Sequence, residues 1–258
     1  MAVDVERKDR VAVVTWNRPE VMNALDADAT DELDGIFDDL ARDRDVWVVV
    51  VTGAGDRAFC AGADLKAMVE RNASGAPRRE PGPNGFAGLV KRDFAKPVVA
   101  AVNGLAYGGG FEVVLACDLA VADERARFAL PEVKRGIVAA AGGLVRLSTR
   151  IPLAVAEEMA LTGDPITAQR AAELGLVNRV VPAGRSVDAA LELAERVAAN
   201  APLAVRMSKT LLRRAVSTAE DELWRLQAAL GRNLLASADA SEGPRAFAEK
   251  RAPVWRGR

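Results

Sequence analysis

The stretch 46–52 narrows the possible folds more than any other segment: Val46, Val48, Val49, Val50, Val51 and Thr52 make it an almost unbroken β-branched run. A strand of this kind has no polar face to give to water, so it must be covered on both sides. That is the situation of an inner strand in a parallel sheet. Residues 3–16 alternate and then run apolar through Val11, Ala12, Val13 and Val14, and read as another buried strand. Between the two, residues 26–42 read as a helix: Ala29, Leu33, Ile36, Phe37 and Leu40 share one face, and Asp26 is placed to cap it. Strand, helix, strand predicts an α/β fold.

Further along, 97–102 reads as a third buried strand, and 119–122 and 128–130 as short fourth and fifth strands. A glycine cluster and a helix at 111–117 lie between the third strand and these two, and the sheet is expected to end around Pro131. Residues 72–85 collect glycine, proline, asparagine and charge, which predicts a mobile surface loop. From Leu153 the pattern turns helical, over 153–161, 167–174, 187–199, 203–215, 219–235 and 238–250, with one strand-like piece at 176–181. Ser186 reads as the cap of a helix whose inner face carries Val187, Ala190, Leu191, Ala194, Val197 and Ala198, with Asn200 and Pro202 ending it. There is no internal repeat and no low-complexity tract.

Composition removes several classes of function. The chain contains no histidine, which excludes Ser-His and Cys-His nucleophilic arrangements and nearly every ordinary catalytic zinc site. Its 36 acidic and 35 basic side chains leave a net charge of −1, so no global field draws it to nucleic acid or an anionic membrane. Cys60 and Cys117 lack CxxC spacing and read as small buried hydrophobes of a reducing compartment. The charged N-terminus is unlike a signal peptide, and no apolar run approaches the ~20 residues needed to span a bilayer. A cytoplasmic protein of 258 residues with a large core and one or two domains is expected.

Four segments are candidates for chemistry. Gly53, Gly55 and Ala58 follow a strand in a GxGxxA pattern, the opening of a dinucleotide-binding turn, but Phe59 to Gly62 read as more turn rather than the helix such a turn requires. Residues 59–66 place Ala61, Gly62 and Ala63 before a short helix, where free amides could meet a negative group, or where Asp64 is simply a cap. Gly108, Gly109 and Gly110 precede Phe111 and Glu112, which suggests either close helix packing or an amide left free for an oxyanion. Glu112 there could be a carboxylate favoured by the helix dipole. Pro131 and Glu132 follow an apolar strand, ordinary chemistry for a helix start. Glu112 and Glu132 each close a strand-to-helix passage and could face one pocket.

In their order along the chain these stretches resemble the crotonase superfamily, the enoyl-CoA hydratase/isomerase family. Asn17, Arg18 and Pro19, Asn23, Ala24 and Leu25, the 52–55 turn and the 59–66 segment are similar to its first blocks. Lys96 and Pro97, Asn103 and Gly104, the 108–112 and 128–132 segments, Gly142 and Gly143, 161–163, 171–178 and 247–251 continue the series. Residues 85–89, 108–112, 131–138 and 242–258 resemble the carnitinyl-CoA dehydratase (crotonobetainyl-CoA hydratase) branch of the superfamily, although similar C-terminal tails occur in general enoyl-CoA hydratases.

The resemblance implies a crotonase (ClpP-like) spiral of ββα repeats over residues 1–195, and a helical region at 196–258 that forms trimers or hexamers. It implies that the amides of Ala63 and Gly109 make an oxyanion hole for a thioester carbonyl. Glu112 would activate water and Glu132 would protonate C2, giving syn hydration of a 2-enoyl-CoA of the kind used in fatty-acid β-oxidation. Arg18, Ala61, Ala63, Asp64, Leu65, Lys66, Gly108, Gly109, Phe247 and Lys250 would contact the acyl-CoA. CoA would enter as part of the substrate, with no metal and no other cofactor. A double-bond isomerase and a non-catalytic thioester-binding protein are the alternatives. Two departures bear on the substrate: Glu20 stands where some relatives have lysine, leaving Arg18, Arg57 or Lys250 to meet the CoA phosphates, and Ala139, Ala140 and Ala141 replace a proline-containing stretch beside the acyl pocket.

Overall fold

Every residue of Val48–Gly53 is buried, and its side chains divide between two cores by strict alternation. Val49 and Val51 point into one apolar cluster, Val48 and Val50 into a second. The computed structural model describes residues 2–74 and 82–258, without the side chains at 71 and 72. It begins with strands β1 (Val3–Lys8) and β2 (Val11–Trp16), helix α1 (Ala27–Arg42), and strands β3 (Val48–Gly53) and β4 (Ala58–Cys60). Helix α2 (Leu65–Ala73), β5 (Val98–Val102), β6 (Leu105–Tyr107), α3 (Gly109–Ala116), β7 (Leu119–Asp123) and β8 (Arg127–Ala129) follow. Then come α4 (Gly143–Arg150), α5 (Leu153–Thr162), β9 (Ile166–Thr167), α6 (Ala168–Glu173), β10 (Arg179–Val181) and α7 (Ser186–Ala198). Helices α8 (Pro202–Arg214), α9 (Glu220–Leu235) and α10 (Ala238–Ala248) complete the chain.

The strands form two sheets, a larger one in the order β1-β2-β3-β5-β7-β10 and a smaller one in the order β4-β6-β8-β9. The chain visits one and then the other: β3 then β4, β5 then β6, β7 then β8. In each sheet the corresponding strands pair in parallel, Val51 beside Ala100 in one and Ala106 beside Phe128 in the other. This is the expected spiral of ββα turns. Helix α1 closes one face, with Ala29, Leu33, Phe37 and Leu40 buried and Asp26 accepting from the Ala29 amide at 2.8 Å. Helix α7 closes the other, seating Ala190 and Ala194 on Val48, Val50, Val99 and Val121. It runs unbroken to Ala198, past position 195.

Several boundaries differ from the sequence reading. Residues 3–16 are an antiparallel hairpin, not one strand: the polar Arg7, Lys8, Asp9 and Arg10 interrupt the apolar pattern, and Asp9 turns the chain at φ +49°. The sheet continues past Pro131, because β10 pairs with β7 and β9 with β8. Strands β4 and β6 lie where turns and glycines were read, and at three residues each they are too short to display a period. Helix α4 has no counterpart in the sequence pattern. Ser186 is the first residue of α7, with Arg185 at the cap. Of the loop expected at 72–85, positions 75–81 lie outside the described residues, and α2 extends to Ala73.

After α7 the helices fold back on the spiral. Lys209 and Arg213 of α8 pair with Asp118, each at 2.8 Å, and donate to the carbonyls of Lys96 and Ala116. The C-terminal tail is tied to α7 by Trp255, whose indole donates to the Ala199 carbonyl, and to α10 by Asp239, which accepts the Arg256 and Gly257 amides.

Candidate active site

The floor of the site is set by two buried asparagines. Asn23 donates to the carbonyls of Ala54 and Ala58, and Asn103 to those of Gly53, Gly55 and Ala58, so the 53–58 turn is held from both sides. Strand β4 follows this turn directly. The GxGxxA pattern therefore lacks the helix that a dinucleotide pyrophosphate would need.

Beyond β4 the chain runs beside residues 22–25. The Leu25 amide donates to the Gly62 carbonyl, and the Leu25 carbonyl accepts the Asp64 amide at 3.0 Å. In this parallel bridge between Leu25 and Ala63, Leu25 bonds the residues on either side of Ala63, which turns the Ala63 N–H to the opposite side. That side faces α3. Gly109 is the first residue of α3, where the amide has no partner within the helix. Helix α3 packs directly on the chain below it: a methyl group on Gly110 would stand 2.0 Å from the Cys60 carbonyl, and one on Gly62, the residue before Ala63, would stand 3.0 Å from the Gly109 nitrogen. Both Ala63 and Gly109 keep access to solvent.

Glu112 lies in the first turn of α3 and is only 2 % exposed. Its Oε1 accepts the amides of Ala141 at 2.7 Å and Gly143 at 2.8 Å, the start of α4. Glu132 sits in the 3-10 helix Pro131–Arg135 that follows β8, and its Oε2 is buried without a hydrogen-bond partner. The Oε1 of Glu132 would be 2.9 Å from a methyl group on Gly108, so this carboxyl lies against the backbone that leads into α3. Burial holds both carboxyls above the ordinary carboxylate range. For Glu112 the amides of Gly143 and Ala141 oppose that rise, while the charge of Glu132 adds to it. The charge of Glu132 thus acts on Glu112, and the Glu132 carboxyl lies against Gly108, the residue before Gly109.

The enoyl-CoA hydratase/isomerase family matches residues 6–258. The chain belongs to this family. It is 44% identical over 253 residues to the carnitinyl-CoA dehydratase of Proteus mirabilis (strain HI4320), covering 96% of this chain and 95% of that protein. It is 42% identical over 262 residues to the carnitinyl-CoA dehydratase of Escherichia coli (strain SMS-3-5 / SECEC), covering 100% and 99%. The crystal structure of an enoyl-CoA hydratase from Mycobacterium tuberculosis H37Rv superposes with a TM-score of 0.93 at 42% identity, over 100% of this chain and 99% of that one.

Other residues expected to contact substrate in this member of the enoyl-CoA hydratase/isomerase family fall into two groups. Ala61, Leu65 and Lys66 are exposed around Ala63, and Gly108 adjoins Gly109. Asp64 caps α2 by accepting the Ala67 amide and also pairs with Arg18 at 3.3 Å. Arg18 is held by Asp26 as well, at 2.9 Å, and donates to the Ala24 carbonyl. Arg57 donates to the Pro19 carbonyl. Phe247 and Lys250 stand apart: they lie at the end of α10, which packs on α9 and the C-terminal tail, and Phe247 is 88 % exposed.

Four residues around the glutamates carry no signal in the sequence reading. Ala141 and Gly143 act through their amides, and a backbone amide has no side-chain signature. Phe86 covers Gly109, its ring 2.7 Å from where a methyl group on that glycine would be. Arg146 reaches the loop that holds Glu112. Cys60 and Cys117 are free and buried, their thiols pushed up to about 12 by burial, which leaves them without nucleophilic character. Among the described residues no three histidine, cysteine or acidic side chains converge as a metal site, and no helix is long and apolar enough to cross a membrane.

Proposed function

We propose that this chain is a hydro-lyase that adds water syn across the C2=C3 bond of a 2-enoyl-CoA to give the 3-hydroxyacyl-CoA, and runs the reverse dehydration. The observation that supports the reading is the placement of the buried Glu112 carboxyl on the Ala141 and Gly143 amides, with the half-buried Glu132 carboxyl against Gly108, the residue before the free amide of Gly109. As the C3–O bond forms, negative charge moves onto the thioester oxygen. Two preorganised amides stabilise that charge, each donor of this kind being worth about 2.7–4 kcal/mol. The two amides that hold Glu112 converge on Oε1, so Oε2 is the oxygen placed to take a proton from water. Glu132, with its unpartnered Oε2, delivers a proton to C2. Hydroxide ends on C3 and hydrogen on C2, and the proton that Glu112 gained is returned to Glu132 by exchange with solvent before the next turnover.

A second reading within the same chemistry is carnitinyl-CoA dehydratase, favoured by the 42–44% identity over nearly the whole chain to proteins of that name. CoA enters as part of the substrate, and the reaction requires no metal or redox cofactor. We place it in the cytoplasm as a homotrimer or a hexamer, the helical C-terminal region supplying the contacts. A groove of about 430 Å³ between α8 and α9, lined by Met207, Leu211, Trp224 and Leu234, supports that assembly, as do Leu212 and Leu235 at 73 % and 77 % exposed.

The test is loss of the enoyl-thioester absorbance with crotonyl-CoA and, separately, with crotonobetainyl-CoA, for wild type, Glu112→Gln and Glu132→Gln. Turnover that either substitution removes supports the hydro-lyase, and the faster substrate chooses between the two readings. A shifted alkene as product identifies an isomerase, and binding without turnover a non-catalytic thioester-binding protein. A light-scattering mass near the 27.3 kDa of one chain overturns the assembly.

A further inference from the structure

Glu112 is held by a loop that is itself held by one side chain. The guanidinium of Arg146, on α4, donates through Nη1 to the Ala141 carbonyl at 3.3 Å and through Nη2 to the Val90 carbonyl. Ala141 therefore works in both directions: its amide grips Glu112 and its carbonyl is gripped by Arg146. Gly142, between the two gripping amides, has φ +95°, and a methyl group there would stand 2.2 Å from Nη1. Glycine is the residue that permits both this conformation and a guanidinium lying on its α-carbon. Val90 belongs to the opposite wall, next to the Phe86–Gly88 turn whose Phe86 ring covers Gly109. One planar fork thus joins the Glu112 loop to the wall above the candidate oxyanion hole.

We propose that Arg146 is a positioning residue for the reaction, fixing the 141–143 loop against the Val90 wall so that Glu112 is presented in one orientation. The kinetic part of this inference rests on the hydro-lyase reading. The charged groups facing Glu112 are Glu132 from the 3-10 helix and Arg146 from α4, the first raising its pKa and the second lowering it. Behind Arg146 lie Arg150 on α4, Arg213 on α8 and Cys117 at the end of α3. Removing the Arg146 charge therefore moves Glu112 further up, while lysine keeps the charge and loses the fork.

Arg146→Met and Arg146→Lys test this with two readouts. The first is a ¹³C NMR titration of the Glu112 carboxyl, assigned by its loss in Glu112→Gln. It is expected to shift to higher pH in Arg146→Met and to stay near wild type in Arg146→Lys. The second is turnover of crotonyl-CoA, where kcat should fall about 10²-fold in Arg146→Met with KM little changed, as expected of a misplaced catalytic group. Arg146→Lys should fall between the two. A folded Arg146→Met with wild-type titration and wild-type kcat overturns the proposal. If Arg146→Met does not fold, Arg146→Lys decides alone: unchanged kcat refutes a role for the fork. If the wild type hydrates no enoyl thioester, the functional reading fails while the titration still judges the Arg146–Glu112 coupling.

Discussion

The α-carbon of Gly108 lies directly against the carboxyl of Glu132, with room for 2.9 Å between a methyl group at Gly108 and Oε1. Gly108 also has φ +53°, a left-handed value that side chains disfavour. Gly108→Ala should therefore displace Glu132 and strain the start of α3 together. We expect stability to fall by about 1 kcal/mol or more and kcat to fall more than KM rises. Denaturant unfolding and steady-state kinetics on the same preparation check this.

Replacing either carboxyl removes a proton-transfer group while leaving most of the packing intact. Glu112→Gln and Glu132→Gln should each lower kcat by about 10²–10⁴-fold. In Glu112→Gln the amide oxygen can still accept the Ala141 and Gly143 amides, so KM should change little. Loss of kcat in only one of the two variants would rule out the shared use of the pair.

The same variants should be more stable than wild type at neutral pH. Both carboxyls are raised above the ordinary value of 4.5, chiefly by burial, so the folded state resists their ionisation. For a raised carboxyl, the favourable contribution is present below the unfolded pKa and is lost as pH rises through the folded pKa. The melting temperature of Glu132→Gln should exceed that of wild type at pH 7, and the gap should close as pH falls toward 4.5. A constant gap across this range would show that the carboxyls titrate normally.

The core makes a prediction independent of catalysis. Phe37, wholly buried on α1, stacks edge-to-face on Phe94 with ring centroids 5.5 Å apart. Phe37→Ala should cost about 3–5 kcal/mol. Asp26→Ala, which removes the α1 cap, should cost about 1 kcal/mol. Urea midpoints with unchanged slopes would confirm that both act on the folded state.

Helix α1 was legible because its apolar spacing and its cap are written in adjacent residues, and α7 because the face that reads apolar is the one that covers the sheet. The family blocks singled out Glu112, Glu132, Ala63 and Gly109 as candidates without a structure, since each lies in a short motif that follows a strand. Strands β4 and β6 were not legible, because three residues hold no period. The role of Ala141 escaped because its contribution is an amide. Arg146 escaped because the helix that carries it, α4, has no counterpart in the sequence reading.

By itself the sequence determined that β3 must be an inner strand, since a run of valines leaves no face for water, and that any proton transfer must use groups other than imidazole, since there is none. Tertiary structure alone decided that Glu112 meets the Ala141 and Gly143 amides and that Gly109 comes to lie beside Gly62. It also decided that Arg146 reaches across to Val90. These relations join segments distant along the chain, and they depend on strand register and on how closely α3 sits on Cys60. Local periodicity carries no information on either, because both are set by packing between elements rather than within them.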